Sequence, residues 1–184
     1  MNVATIAWRS DAGADLCALE AGRDGFSLRG TAIVVEDSVP YLLWYLVSVG
    51  DDWQTRNVVV HIFDRDGERL VHLGAEGGTW AGGRMLDEPH PDLAGCLDVD
   101  LAFTPATNTL PIRRLSLEVG DAADVNAAWV RWPQLDVVRV SQRYERLALD
   151  RYRFMQEEFS ADITVDREGL VVEYADIWRA LGRA

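Results

Sequence analysis

The sequence predicts a mainly β protein built from an antiparallel sheet, and three observations carry this prediction. Short apolar stretches rich in β-branched and aromatic residues recur along the chain, and turn residues separate them. Two of these stretches flank Asp66-Gly67, a dipeptide that supplies the positive φ of a tight hairpin turn. Helical signals are few. Together these features are typical of antiparallel sheets with short connections.

The predicted strands follow one another with little helix between them. Residues 41–49 are apolar on both faces, which predicts a strand buried on two sides. Residues 95–103 and 137–144 alternate apolar and polar side chains, as half-buried strands do. The full set of predicted strands is residues 26–36, 41–49, 57–63, 69–73, 95–103, 137–144, one or two strands within 152–165, and 170–174.

Helix is predicted at two places. Thr109-Leu110-Pro111 has the pattern of an N-cap followed by proline in the first turn, which predicts a short helix at residues 112–115. Apolar alternation resumes at Leu115, so this helix cannot be long. Residues 175–181 are expected to close the chain as a second helix. Residues 121–128 are ambiguous between helix and strand.

Length and charge limit the class of protein. A chain of 184 residues favours one domain, spanning residues 1–184. Its net charge of −12 argues against nucleic acid as a partner, because phosphate backbones are bound by Lys and Arg. The same charge disfavours anionic membrane surfaces. The longest apolar run, residues 39–49, is shorter than the ~20 residues that cross a bilayer, so no stable membrane insertion is expected.

The cysteines and the first residues bear on location. Cys17 and Cys96 are too few for a disulfide framework, and neither belongs to a CxxC pair. Residues 1–6 lack the basic region and the long apolar stretch of an export signal. We therefore expect a cytoplasmic protein whose two thiols are reduced.

Patterns for nucleophiles and metals are weak. The chain has no GxSxG motif, and Cys96 with His90 fixes no geometry for a thiol and its base. His61 and His72 are expected to face each other across the predicted hairpin, but no third ligand accompanies them. These patterns therefore predict no metal, no cofactor and no catalytic residue.

Asp98 and Asp100 lie on one face of one predicted strand, roughly 7 Å apart. Paired carboxylates perform acid–base work in glycoside hydrolysis, where their separation sets the outcome. Alternating aspartates also form the solvated face of a strand, or pair with nearby arginines. The residues alone leave these alternatives open.

Residues 104–114 form the most distinctive segment, with hydroxyl groups, an amide, two prolines and two arginines. Thr107 and Asn108 are suited to hydrogen-bond a sugar, and Arg113 and Arg114 to clamp a phosphate or carboxylate. In the alternative, structural interpretation, Thr or Asn caps the helix and the arginines pair with aspartates. Adjacent residues point in different directions on a helix and on a strand, so we expect only one of the two arginines to pair internally.

Aromatic residues offer a further surface for a ligand. Such side chains stack against sugars or line a wall for acyl chains, although most of them are expected in the core. The candidates are Trp80, Trp129, Trp132, Tyr144 and Tyr152.

These segments give the chain a resemblance to a known family. Between Thr55-Arg56 and the end of the chain, the motifs occur in the order Gly95-Cys96-x-Asp98-Val99-Asp100-Leu101, Thr104-Pro105-x-Thr107-Asn108-Thr109-Leu110-Pro111-Ile112-Arg113-Arg114, Ala128-Trp129-Val130-x-x-Pro133, Gln142-x-Tyr144, Tyr152-Arg153 and Val165-Asp166-x-x-Gly169-Leu170-Val171. In this arrangement the chain resembles the bacterial family named Putative glycolipid-binding, a former domain of unknown function.

The resemblance implies a spiral β-roll, in which a long antiparallel sheet wraps around a single helix and the protein forms a homodimer. That shape is distantly similar to the half-barrels of periplasmic lipoprotein carriers, which hold acyl chains. The implied function is non-enzymatic binding of a glycolipid or a similar amphipathic small molecule, with acyl chains inside the rolled sheet. The residues that we predict to contact the ligand are Asp98, Asp100, Thr107, Asn108, Arg113, Arg114, Trp129, Gln142 and Tyr144.

Two other functions remain open beside this one. The first is a sugar- or lipid-processing enzyme that uses Asp98 or Asp100, and the second is a structural dimerisation domain. An apolar cavity beside residues 98–114 favours the binding protein. A small polar cleft there favours the enzyme, and a filled core favours the structural domain.

Overall fold

The computed structural model describes residues 1–83 and 89–184, and in them 14 strands join into one sheet. The strands are β1 (Asn2–Arg9), β2 (Gly13–Ala21), β3 (Phe26–Glu36), β4 (Val39–Val49), β5 (Thr55–Asp64), β6 (Gly67–Glu76), β7 (Thr79–Gly83), β8 (Asp98–Leu101), β9 (Ala122–Val130), β10 (Val137–Ala148), β11 (Arg151–Gln156), β12 (Phe159–Val165), β13 (Val171–Tyr174) and β14 (Trp178–Arg183). Across the sheet their order is β7-β6-β5-β4-β3-β2-β1-β14-β13-β12-β11-β10-β9-β8. Neighbours pair antiparallel, except that β8 runs parallel to β9. The predicted fold class, a long antiparallel sheet with a short helix, is confirmed.

The two ends of the chain lie side by side in the middle of this sheet. β1 pairs with β14, and Thr5 and Ala184 exchange backbone hydrogen bonds of 2.7 and 2.8 Å. The helix predicted at residues 175–181 is therefore wrong. The backbone groups of β14 bond to β1 and β13 instead, and Trp178 is buried against the core. Tertiary pairing here outweighs the helical pattern of the local sequence.

The described residues contain one α-helix, α1 (Thr109–Leu115), which follows a 3-10 turn at Ala106–Asn108. Another 3-10 turn lies at Pro91–Leu93. Pro111 stands in the first turn of α1, where its missing N–H needs no partner. Thr109 is the first helical residue and not the N-cap that we predicted. The helix ends at Leu115 because Ser116 adopts a left-handed φ of 46°.

The sheet curls so that its buried faces enclose two apolar clusters. The first lies mainly against β1–β8 and includes the fully buried Trp8, Tyr45 and Trp80. In the second, Ile112 of α1 packs with Tyr144 and other side chains of β9–β13. Side chains therefore fill the space that the sheet encloses, and the cavities described below lie beside residues 100–104 and at the end of α1.

The curl brings the edge strand β8 back onto β5. The backbone N–H of Thr55 donates to Leu97 (2.9 Å), and that of Val99 donates to the Thr55 hydroxyl (3.1 Å). Trp80 of β7 donates its indole N–H to the carbonyl of Cys96 at 2.8 Å. The two edges of the sheet thus approach each other, as in a spiral roll.

The outer face of β4 departs from the prediction. We expected residues 41–49 to be buried on two sides, but every second side chain of this strand faces outward, and Leu42 is 44% exposed. Its register neighbours on β3 and β5 are Ile33 and Phe63, which are also exposed. The prediction was wrong because an apolar outer face need not be covered within one chain.

Both cysteines are buried, and neither forms a disulfide. Burial raises the pKa of the Cys17 thiol to about 12 and also raises the pKa of Cys96. Burial together with a raised thiol pKa is typical of small core residues. Among the described residues, no helix has both the length and the apolar character needed to span a membrane.

Candidate functional site

Asp98 of β8 forms a buried ion pair with Arg114 of α1. Arg114 donates from Nε to Oδ1 at 3.0 Å and from Nη2 to Oδ2 at 2.5 Å, and the Asp98 side chain is only 1% exposed. The pKa of Asp98 lies above its ordinary value, because the effect of burial exceeds the lowering effect of the hydrogen bonds and charge of Arg114. The prediction that one of the two arginines pairs internally is confirmed, and the pair attaches α1 to the edge of the sheet.

Asp100 has different partners from Asp98, although both point to the same face of β8. Gln142 donates from Nε2 to Oδ2 of Asp100 at 2.6 Å and to Oε1 of Gln156 at 2.9 Å. Burial raises the pKa of Asp100 to about 6, against the lowering effect of hydrogen bonds from Gln142 and Thr107. A carboxyl group that changes protonation near pH 6 therefore lies beside the helix segment.

Asn108, Thr107 and Tyr144 hold residues 105–108 against the sheet. The Tyr144 hydroxyl donates to Oδ1 of Asn108 at 2.9 Å, and Nδ2 of Asn108 donates to the carbonyl of Pro105 at 3.2 Å. The Thr107 hydroxyl accepts the backbone N–H of Leu101 at 3.2 Å. These contacts explain why a segment rich in polar side chains is buried there.

A cavity of about 270 Å³ opens beside this segment, and we call it the polar–aromatic cavity. Asp100, Thr104 and Asn108 line it from the segment, and strands β9 and β11–β14 supply the opposite wall. Its remaining lining residues are Leu101, Ala102, Trp129, Phe154, Gln156, Phe159, Tyr174, Ile177 and Trp178. The three rings of Phe154, Phe159 and Tyr174 pack on one another with centroids 6.0 to 6.3 Å apart.

A second cavity of about 370 Å³ lies next to it, and we call it the apolar cavity. Val34, Phe103 and Trp132 give it apolar walls, together with Ala12. Its polar lining residues are Ser10, Asp11, Glu36 and Asp176. The two cavities share Ala102, Ile177 and Trp178, so together they form one amphipathic depression along residues 100–104.

Arg113 does not face these cavities. Its guanidinium lies 4.8 Å from the centroid of the Trp53 ring, and it lines a third cavity of about 360 Å³ with Arg146 and Tyr152. The structure thus divides the predicted site residues. Asp100, Asn108 and Trp129 line the polar–aromatic cavity, Arg113 lines the third cavity, and Asp98, Thr107, Arg114, Gln142 and Tyr144 hold these elements in place.

Sequence reasoning did not identify the far wall of the polar–aromatic cavity. Phe154 and Gln156 lie two residues apart on β11, a spacing that indicates a shared face but not which cavity that face meets. Phe159, Tyr174 and Trp178 come from three further strands, and Trp178 was assigned to a helix. Only the curvature of the sheet brings them together.

The histidines do not face each other as expected. In the β5–β6 register His61 lies opposite Leu70, and His72 lies opposite Val59. His72 hydrogen-bonds Asn57 at 2.6 Å, and His61 pairs with Glu68. Within residues 1–83 and 89–184, no group of three or more His, Cys, Asp or Glu side chains is arranged to hold a metal ion.

Comparisons with known proteins show the family and the fold of the chain. A family model described as Putative glycolipid-binding matches residues 5–180. The chain belongs to this family. The crystal structure of a DUF1089-family protein from Pseudomonas aeruginosa is 33% identical and superposes with a TM-score of 0.81, over 90% of this chain and 91% of that one. No curated protein matches the chain at a significant level. The predicted recognition is confirmed, and the matched range contains every lining residue of the polar–aromatic cavity.

Proposed function

We propose that this member of the glycolipid-binding family binds a glycolipid or a similar amphipathic molecule without transforming it. One observation supports this most, namely that a polar, aromatic-walled cavity adjoins an apolar one. Their volumes, about 270 and 370 Å³, together match the size of small-molecule sites in proteins. The sugar-like head occupies the polar–aromatic cavity, and the apolar tail lies along Phe103 and Trp132.

The lining of the polar–aromatic cavity suits a neutral sugar better than an anionic head. Asp100 is ionised above pH 6 and then only accepts hydrogen bonds, so it favours hydroxyl donors and repels phosphate. The rings of Trp129 and Phe159 offer faces against which the C–H surface of a sugar packs.

An enzyme remains the second candidate, because Asp100 has a raised pKa and faces a cavity. Glycoside hydrolysis generally needs two carboxyl groups that flank the scissile bond. Asp98 is engaged by Arg114 and does not line the polar–aromatic cavity, so the two aspartates do not form such a pair. Binding without catalysis is therefore the function that the geometry favours.

We expect n-octyl β-glucoside, titrated below its critical micelle concentration, to bind saturably and to change tryptophan fluorescence. Glucose and octanol alone should each bind at least about tenfold more weakly, since each fills one cavity. Phe159→Ala should weaken binding roughly fivefold, because it removes about 1 kcal/mol of half-buried apolar contact. Isothermal titration calorimetry measures these constants.

Leu181→Ala is the control for this titration. Leu181 is 61% exposed and Phe159 is 43% exposed, but Leu181 lies on β14, outside the dimer face proposed below, and lines neither cavity. An equal loss of affinity in both variants, or no saturable binding of the glucoside, would contradict the proposal. Release of free glucose during the titration would favour the enzyme.

We also propose that the protein forms a homodimer through the outer face of β2–β6. The register places Leu42 between Ile33 and Phe63, and it places Trp44 between Thr31 and His61. The exposed apolar side chains of this face are each 40% to 57% accessible: Leu16, Ile33, Val35, Leu42, Phe63 and Leu70. An apolar patch that spans five strands favours association over exposure to water. A second copy of the chain is the partner, because the family resemblance implies a homodimer.

Light scattering on a size-exclusion column should give twice the mass of one chain, and Phe63→Glu should reduce it to the monomer. A carboxylate at this position would be buried without a partner in the dimer. Leu181→Glu is the control, because Leu181 is 61% exposed on β14, away from this face. A monomeric parent protein would refute the dimer.

Location in the cytoplasm stays a prediction.

A further inference from the structure

The third cavity, lined by Arg113, has a composition unlike the other two. Its volume is about 360 Å³, and it lies where the end of α1 meets β10 and the turn between β12 and β13. Three arginines line it, with the hydroxyl groups of Ser116 and Tyr152. The full lining is Ile112, Arg113, Ser116, Arg146, Leu149, Tyr152, Val165, Asp166, Arg167 and Gly169. It shares no lining residue with the polar–aromatic or the apolar cavity.

The positive charge in this cavity is not balanced by its lining. Asp166 is the acidic residue in the lining, and its carboxylate is engaged elsewhere. Oδ1 accepts the backbone N–H groups of Glu168 and Leu170 at 2.9 Å each, and Oδ2 pairs with Arg183 at 2.5 Å. Arg183, which does not line the cavity, also pairs with Glu168. Arg167 pairs with Glu168, which does not line the cavity, at 2.7 Å. Arg113 and Arg146 therefore supply positive charge that the carboxylate of the lining does not balance.

Arg113 is held in place by packing, and its donors are free. In residues 1–83 and 89–184 its guanidinium has no ion pair and no hydrogen bond. The guanidinium lies over the Trp53 ring, 4.8 Å from its centroid. The aliphatic part of the Arg113 side chain packs on Gly169, where an added Cβ atom would lie only 3.0 Å from Cδ of Arg113. These two contacts hold the Arg113 side chain in position before a ligand binds, which lowers the conformational entropy lost on binding.

Arg146 is anchored more firmly than Arg113. Its Nη1 donates to the carbonyl of Leu117 at 2.6 Å, and Nη2 donates to that of Leu149 at 2.7 Å. Each of these nitrogens keeps a second N–H. Burial raises the pKa of Tyr152, and the charges of Arg146 and Arg113 lower it, so both arginines act on the same phenol.

We propose that this cavity is a second binding site, which takes the phosphate group of a small phosphorylated molecule. A phosphate dianion matches planar arginine donors in charge and in geometry. Arg113 is the principal ligand, and Arg146 contributes its remaining N–H groups. Ile112, Leu149 and Val165 give the cavity apolar walls for the organic part of the molecule. This site is independent of the glycolipid site.

Phenyl phosphate is the probe for this proposal, with phenol and inorganic phosphate as the two comparison ligands. We expect saturable 1:1 binding of phenyl phosphate by calorimetry, weaker binding of inorganic phosphate and no binding of phenol. Affinity should fall as salt is added, because the contact is largely electrostatic. Arg113→Gln should weaken binding at least tenfold while circular dichroism and the melting temperature stay close to those of the parent.

Arg65→Gln is the matched control, because Arg65 is an arginine with a 75% exposed side chain in the β5–β6 turn and should leave binding unchanged. Equal loss in both arginine variants, an unchanged affinity in Arg113→Gln, or no saturable binding of phenyl phosphate would overturn the proposal. Octyl glucoside titrations separate the two sites. Arg113→Gln should leave glucoside binding intact, and Phe159→Ala should leave phenyl phosphate binding intact.

Discussion

Replacing Arg114 with alanine is expected to lower the free energy of unfolding by about 3–5 kcal/mol, because it leaves a buried carboxylate without its partner. Asp98 is 1% exposed, and Arg114 supplies both of its side-chain hydrogen bonds. The loss should be smaller at low pH. Without Arg114 the pKa of Asp98 rises further, so the carboxyl becomes neutral as the pH falls and its burial then costs less.

Urea unfolding at several pH values measures this effect, and two variants sharpen it. Arg113→Ala removes a cation–π contact with Trp53 and should cost at most about 1 kcal/mol. The double variant Asp98→Leu/Arg114→Leu removes both charges and should recover most of the stability, since apolar residues often replace a buried ion pair without loss. A loss below about 1 kcal/mol in Arg114→Ala would show that the pair does not hold α1 to β8.

The sequence predicts those elements whose partners are close in the chain. The strand expected at residues 26–36 is β3 itself, and the hairpin at Asp66-Gly67 joins β5 to β6. Alternation and turn chemistry specify such elements locally. β1 and β14 lie at opposite ends of the chain, and they pair with each other in addition to β2 and β13. No local pattern reports that pairing, which is why residues 175–181 were predicted as helix.

The same distinction between local pattern and long-range packing applies to the candidate site. The Arg114–Asp98 pair was one of the expected alternatives, because alternation on a strand and the turn of a helix limit where adjacent side chains point. The separation of Arg113 from Asp100 depends instead on how α1 lies across the sheet. The spiral roll itself came from the family resemblance and not from any periodicity, since twist and curl are properties of many strands together.

Asp15 of β2 is a second buried carboxyl, and it should make stability depend on pH. The side chain is 2% exposed, and its Oδ2 accepts the hydroxyl groups of Tyr45 (2.8 Å) and Thr104 (2.5 Å). Its Oδ1 has no hydrogen-bond partner in the described part of the chain. Burial raises the pKa of Asp15 from 3.8 to about 6, although the hydrogen bonds from Thr104 and Tyr45 oppose this shift.

The sign of the effect follows from the two pKa values. Between about pH 4 and pH 6 the folded protein holds a proton on Asp15 that the unfolded chain has already lost. The free energy of unfolding should therefore fall as the pH rises through this window and stay level above it. Asp100 has a pKa of about 6 for the same reason, so the two groups contribute comparable slopes.

Asp15→Asn is expected to raise the free energy of unfolding at pH 7.5 by about 1–3 kcal/mol. The rise in the pKa of Asp15 from 3.8 to about 6 corresponds to about 3 kcal/mol. The expected gain is smaller than this, because the side-chain NH2 group of the new asparagine is buried without a hydrogen-bond partner. The asparagine oxygen still accepts from Tyr45 and Thr104, so the segment beside the polar–aromatic cavity stays in place. Part of the decrease between pH 4 and pH 6 should disappear, and the part that Asp100 contributes should remain. Urea unfolding across this range measures both effects. Asp162→Asn is the control, because the Asp162 side chain is exposed and its replacement should change the free energy of unfolding by at most about 0.5 kcal/mol. An equal pH dependence in the parent and in Asp15→Asn would show that Asp15 ionises at its ordinary pKa.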